Sequence, residues 1–160
     1  MNNLTIRNLK EADYPEMMKI DQLVFSSYNT PAPMKQRSLE EYTGHYSPEK
    51  VFIAELEGKV AGYIGYDNPT GLPSNSHVME FYIAVHPDSQ GRGVGKALIT
   101  HLITWGKQQA YKKISLRVLS TNEDAVTFYK ANGFLEQGRL VQEFLLDGTY
   151  VDDILMYKML

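Results

Sequence analysis

At 160 residues the chain has the length of one domain, and 43% hydrophobic with 22% charged residues is an ordinary composition for a soluble protein. A net charge of −3 argues against the clustered basic surface that nucleic-acid binding needs, so no nucleic-acid partner is expected. With no cysteine, disulfides, a thiol nucleophile and cysteine-based zinc sites are excluded, and His45, His77, His86 and His101 show no helical pairing that suggests a metal.

The opening residues lack the apolar core of a signal peptide, and no stretch approaches the roughly 20 apolar residues of a membrane span. The expected location is therefore the cytoplasm, with no membrane partner. Leu4–Leu9 alternates as an opening strand, and Ala12–Val24 carries Met17, Ile20, Leu23 and Val24 at helical spacing. Ser26–Pro33, with Asn29 and two prolines, reads as loop, and Leu39–Tyr46 as a short helix. Val51–Leu56 and Val60–Tyr66 read as strands joined by a tight turn at Glu57-Gly58-Lys59. A loop rich in Pro, Gly, Asn and Ser spans Asp67–Ser76, and the strongly apolar strand Val78–Val85 follows. Val94–Gln108 is a helix whose stripe of Val94, Ala97, Leu98, His101, Leu102 and Trp105 is widened by Ile99 and Ile103, so it packs onto a sheet.

Ile114–Leu119 alternates as a further strand. Asn122–Ala131 is a helix with Glu123 and Asp124 in its first turn, where acids suit the helix dipole. Strand resumes from Phe134, and Leu140–Met159 is a long hairpin turned at Asp147-Gly148. The order β-α-α-β-β-β-α-β-α-β-β predicts one mixed α/β domain over residues 1–160. Its step from Val78 to Leu119 is a right-handed parallel crossover and the rest is mostly antiparallel.

The most informative stretch runs from Ala84-Val85-His86-Pro87-Asp88-Ser89 through Gln90-Gly91-Arg92-Gly93-Val94-Gly95-Lys96. A strand ends, a turn follows, and three alternating glycines lead into a helix. Glycine allows close backbone approach, and the first helical amides lack internal partners, so an anion such as phosphate fits there. A ligand-free glycine turn is the plain alternative. A dinucleotide loop is disfavoured, because the spacing is Gly-x-Gly-x-Gly and no N-terminal βαβ unit carries it. The P-loop pattern is absent.

Gln90-x-x-Gly93-x-Gly95 after an apolar strand, with His86-Pro87-Asp88 between, resembles the acetyl-CoA signature of the GNAT (Gcn5-related N-acetyltransferase) superfamily. Asn122-x-x-Ala125-x-x-Phe128-Tyr129-x-x-x-Gly133-Phe134 resembles its second motif at the expected distance. The resemblance covers nearly the whole chain. It implies the acyl-CoA N-acyltransferase fold, an α+β mixed sheet with one parallel strand pair splayed at the cofactor and helices on its flanks. It also implies acetyl-CoA as co-substrate, no metal, and acetyl transfer to a primary amine of a small molecule or peptide by direct attack in a ternary complex.

By the same resemblance the amides of Gln90, Gly91, Arg92, Gly93, Val94, Gly95 and Lys96 hold the CoA pyrophosphate, and Ile83, Ala84 and Val85 run beside the pantetheine arm. Asn122 binds that arm, caps the next helix, or does both. Tyr129 matches the position whose phenol lies near the thioester sulfur and can act as the acid; its alternative is a core aromatic. Glu80, a carboxylate inside an apolar strand, is the candidate base, with His77 a weaker one; solvent or an ion pair is its plain alternative. Ribosomal-protein acetyltransferases of the superfamily carry a glutamate where Leu116-Arg117-Val118 places Arg117, which points to another base or substrate.

The acceptor side is expected from the first two helices, the Asp67–Ser76 loop and the hairpin. They supply Phe25, Tyr28, Tyr42, Tyr46, Tyr63, Tyr66 and Tyr150 with Glu40, Glu41, Asp152 and Asp153. These would form an aromatic, acidic pocket for a cationic amine, or else are core aromatics and surface charges. A non-catalytic acyl-CoA sensor or interaction domain is the alternative function. The hairpin Leu140–Leu160 offers an edge for a homodimer.

Overall fold

The computed structural model describes residues 3–26, 29–31 and 38–160. Seven strands form one sheet in the order β1-β2-β3-β4-β5-β7-β6. They are β1 (Leu4–Asn8), β2 (Val51–Leu56), β3 (Lys59–Asp67), β4 (Val78–Val85), β5 (Lys113–Leu119), β6 (Leu135–Leu146) and β7 (Thr149–Met159). The helices are α1 (Tyr14–Val24), α2 (Leu39–Thr43), α3 (Val94–Gln108) and α4 (Glu123–Ala131). Every strand pair is antiparallel except β4–β5. The expected mixed sheet with one parallel pair is therefore present, and no described helix is long and apolar enough to cross a membrane.

Strand alternation sorts the core into two layers. Val94, Leu98, Ile99 and Leu102 of α3 pack on Phe52, Ile64, Met79, Phe81, Leu116 and Met156. Met17 and Ile20 of α1 and Tyr42 of α2 pack on Ile53, Tyr63 and Ala84 of the opposite face. α1 contacts β3 and β4 but does not extend over β5 and β7, which leaves Ser115, Arg117, Leu155 and Tyr157 of that face partly exposed.

Boundaries shift where side chains compete for backbone. α1 starts at Tyr14 rather than Ala12, because Pro15 favours the first turn and the Asp13 carboxylate instead accepts from Arg7 and from the Lys10 amide (2.7 Å). α2 stops at Thr43, with Gly44 at its end, so Tyr46 leaves the helix and packs against Tyr42 and Tyr63. Phe134 precedes β6 as a buried plug against Phe81.

One feature of the pairing positions the site. β4 and β5 pair only through Val78–Lys113, Met79–Ile114 and Glu80–Ser115. Beyond Glu80, β4 stays bonded to β3 as far as Val85, and β5 stays bonded to β7 as far as Leu119. Their facing edges thus separate into a wedge-shaped opening, with backbone groups of Phe81–Val85 along one side.

Candidate active site

At the wide end of the opening, the β4–α3 loop is shaped by two left-handed glycines, Gly91 (φ 74°) and Gly93 (φ 82°). Gly93 is the N-cap of α3 and offers no side chain to it. The first intrahelical bond runs from Ala97 N to Gly93 O (3.0 Å), so the amides of Val94, Gly95 and Lys96 are left over at the helix end. A Cβ added at Gly91 or Gly93 would meet nothing within 4 Å, so the space above the loop is open. His86 braces the preceding turn by accepting from the Asp88 amide at Nδ1 (3.1 Å). Orphan amides, open space and the exposed Lys96 fit a diphosphate, and the edge of Ile83–Val85 beside them, unpaired by β5 though Val85 O accepts from Gln90 Nε2 (3.4 Å), fits an extended arm with amide groups.

Not every loop residue faces outward. Val94 is core. A Cβ on Gly95 would approach Phe128 Cζ of α4 to 3.1 Å, so this glycine lets α4 press against the start of α3. Arg92 reaches Glu57 (3.1 Å), which offsets part of its charge.

Tyr129 lies on α4, half-buried among Phe81, Phe128 and Phe134, whose ring centroids are 5.9, 5.5 and 6.1 Å away. Burial pushes its phenol up to about 12, so it keeps its proton at neutral pH. The hydroxyl makes no hydrogen bond to a described residue. Asn122 caps α4 by accepting from the Ala125 amide (3.4 Å).

Glu80 is the last β4 residue paired with β5, at the closed end of the wedge. Met79, Phe81 and Ile83 belong to the α3 layer, so Glu80 and Tyr82 point to the other face. The half-buried Glu80 makes no ion pair or hydrogen bond to a described residue. The carboxylate and the Tyr129 phenol therefore flank the opening from opposite sides of the sheet. His77 is not brought to this place. It is exposed at the far end of the parallel pair, where its carbonyl accepts from Lys112 and Lys113.

The expected acceptor residues divide. Tyr42 and Tyr63 are core, and both phenols donate to the fully buried Asp21 carboxylate, Tyr42 at 2.6 Å. Burial first, and then Asp21 together with the neighbouring Tyr46 phenol, push both phenols up. Tyr66 packs on the other face against Trp105 (5.1 Å), Tyr150 is exposed on the hairpin, and Phe25 ends α1. Glu40 and Glu41 are exposed on α2, and Asp152 is held by Arg139 and the Gln142 amide. Tyr28 lies outside the described residues. Tyr46 remains, half-buried beside Tyr82 (5.7 Å).

Three features escaped the sequence reading. Asp21 stands among Met17, Ile20 and Val24 on the apolar stripe of α1, and that misfit was a legible signal. Tyr82 lies over Gly65, and Arg117 pairs with the buried Asp153 (Nε to Oδ2, 2.7 Å); both follow only from strand register.

The Acetyltransferase (GNAT) family model matches residues 14–134. A spermidine N(1)-acetyltransferase of Vibrio cholerae is 38% identical over 71% of this chain, which spans only 65% of that relative. An L-amino acid N-acetyltransferase of Escherichia coli is 29% identical, with 99% of each chain covered. A solved structure from Streptococcus mutans superposes with a TM-score of 0.89 at 29% identity, covering 97% of this chain and 98% of the other. The chain thus spans less than two thirds of the length of the first curated relatives it matches.

Proposed function

Because this chain belongs to the acetyltransferase (GNAT) family, we propose that it transfers the acetyl group of acetyl-CoA to a primary amine by direct attack in a ternary complex. The observation that carries this reading is the β4–β5 opening, which leads to the left-handed glycine loop at the α3 N-terminus. The amides of Gly91, Arg92, Gly93, Val94, Gly95 and Lys96 surround the diphosphate, with Lys96 adding charge, whereas the expected Gln90 amide instead donates to Pro87 O (3.3 Å) and closes the turn before them. The edge of Ile83, Ala84 and Val85 receives the pantetheine arm in place of the missing β5 partner. Asn122, already the α4 cap, borders the same opening.

Acetyl-CoA supplies an acyl carbon with a thiol leaving group. Glu80 takes a proton from the incoming ammonium, directly or through water, which frees the nitrogen lone pair. The nitrogen bonds to the acyl carbon while the carbon–sulfur bond breaks. Tyr129, neutral at physiological pH, gives its proton to the departing sulfur. The second proton shed by the nitrogen restores the phenol through solvent. No covalent enzyme intermediate is required, in keeping with a chain that has no cysteine.

Thermal unfolding with and without acetyl-CoA, followed by thiol release across a panel of amines, tests this. Acetyl-CoA at 100 times its Kd adds about 2.7 kcal/mol. A melting shift with amine-dependent thiol release is the expected outcome. A shift without turnover would favour the acyl-CoA sensor, and no shift would remove the loop assignment.

A further inference from the structure

We infer that Arg117 reads a carboxylate on the acceptor, so that the amine acetylated here belongs to an amino acid or a similar amino-carboxylate. The inference rests on the acetyl-transfer reading and narrows its substrate class. Pairing between β4 and β5 ends at Glu80–Ser115. The next β5 residue on the Glu80 face is Arg117, because Leu116 points into the α3 layer. A carboxylate and a guanidinium therefore stand on either side of the opening on the α1 face of the sheet, Glu80 on the strand that α1 reaches and Arg117 on the strand beyond it.

The guanidinium is fixed but not used up. Its Nε and Nη2 both reach Asp153 Oδ2, at 2.7 and 2.5 Å. The Asp153 side chain is 6% exposed while that of Arg117 is 44% exposed, so the acid is sequestered and the outer edge of the base faces solvent. Arginine carries five donors in a rigid fork, and Nη1 has no partner among the described residues. An anchored fork with an open arm suits a planar carboxylate. Further along β5 on the same face, Lys113 stands 5.3 Å from the Tyr157 ring centroid and adds positive charge. Glu80 has no countercharge among the described residues. An ammonium at Glu80 with a carboxylate at Arg117 matches this pattern, whereas a polyamine would set a second cation against Arg117 and Lys113.

The test is thiol release from acetyl-CoA by amino acids, by their decarboxylated counterparts and by spermidine, with wild type and Arg117→Lys. Lysine keeps a cation for Asp153 but lacks the second arm. Wild type is expected to favour an amino acid over its decarboxylated partner by at least about tenfold in kcat/KM. The lysine variant is expected to raise KM for the amino acid about 10- to 100-fold, the worth of a charge-assisted hydrogen bond. The KM values for acetyl-CoA and the decarboxylated amine should stay unchanged. If Arg117→Lys folds poorly, the pair Arg117→Gln with Asp153→Asn removes both charges together and should show the same loss. Transfer to spermidine or decarboxylated amines equal to that for amino acids would overturn the inference and leave acetyl transfer standing. So would a preference that survives in both variants. No thiol release with any amine would overturn acetyl transfer itself, and this inference with it.

Discussion

The ring of Tyr82 lies directly over Gly65, its cross-strand partner, so that a Cβ at Gly65 would collide with the phenol end of that ring. The ring is held by Tyr46 (5.7 Å) and Tyr63 (6.3 Å) and cannot move aside without disturbing the Asp21 cluster. Gly65→Ala should therefore destabilise the fold by about 1–3 kcal/mol, as overpacking does. In a Tyr82→Ala background the same change should be close to neutral, since the obstructing ring is gone. A double-mutant cycle in urea would read this coupling. Additive effects of the two substitutions would show that the contact does not constrain the strand.

Tyr129 is wedged by three phenylalanines on a helix that is itself seated on Gly95. Tyr129→Phe keeps the ring and removes only the hydroxyl, which bonds to no described residue. The melting temperature and acetyl-CoA affinity should be nearly unchanged. Turnover should fall by about 100-fold or more, as for loss of a positioned acid. Steady-state kinetics at saturating acetyl-CoA checks this, and unchanged turnover would remove the phenol from the acid role.

Much of this architecture is written locally. The apolar run of Val51–Leu56 and the apolar stripe of α3 each fix an element with little help from the rest of the chain, and both appear where expected. The opening between β4 and β5 is different. Its end at Glu80–Ser115 depends on two strands diverging, and no single segment encodes that; it was approached through motif resemblance. Aromatic content was the least reliable guide. Tyr42 and Tyr63 have the same composition signal as pocket residues, yet the acid that buries them, Asp21, lies far away in sequence.

The loop assignment can be tested without touching the chemistry. Gly93 sits at φ 82°, where any side chain carries strain of about 1–2 kcal/mol, but a Cβ added there would meet no atom within 4 Å. Gly93→Ala should thus fold, somewhat less stably, and still bind acetyl-CoA. Gly93→Glu should fold equally well and lose binding, because bulk and negative charge enter the place proposed for the diphosphate. Calorimetric titration with CoA separates the two. Equal affinity in the glutamate variant would exclude this loop as the phosphate site.

The buried phenols also predict an alkaline limit to stability. Burial, as the leading cause, raises Tyr42, Tyr63, Tyr66, Tyr82 and Tyr129 above the ordinary value, Tyr129 to about 12. Below about pH 10 these phenols are neutral in both folded and unfolded chains and contribute no pH dependence. Above that value the unfolded chain loses its phenolic protons first, so it binds fewer protons than the native state and stability falls with rising pH. The loss should begin near pH 10 and continue through the raised folded values. Tyrosinate absorbance followed alongside circular dichroism should show the buried group ionising together with loss of structure. A smooth, independent titration of all eleven tyrosines with the fold intact would contradict the buried cluster around Asp21.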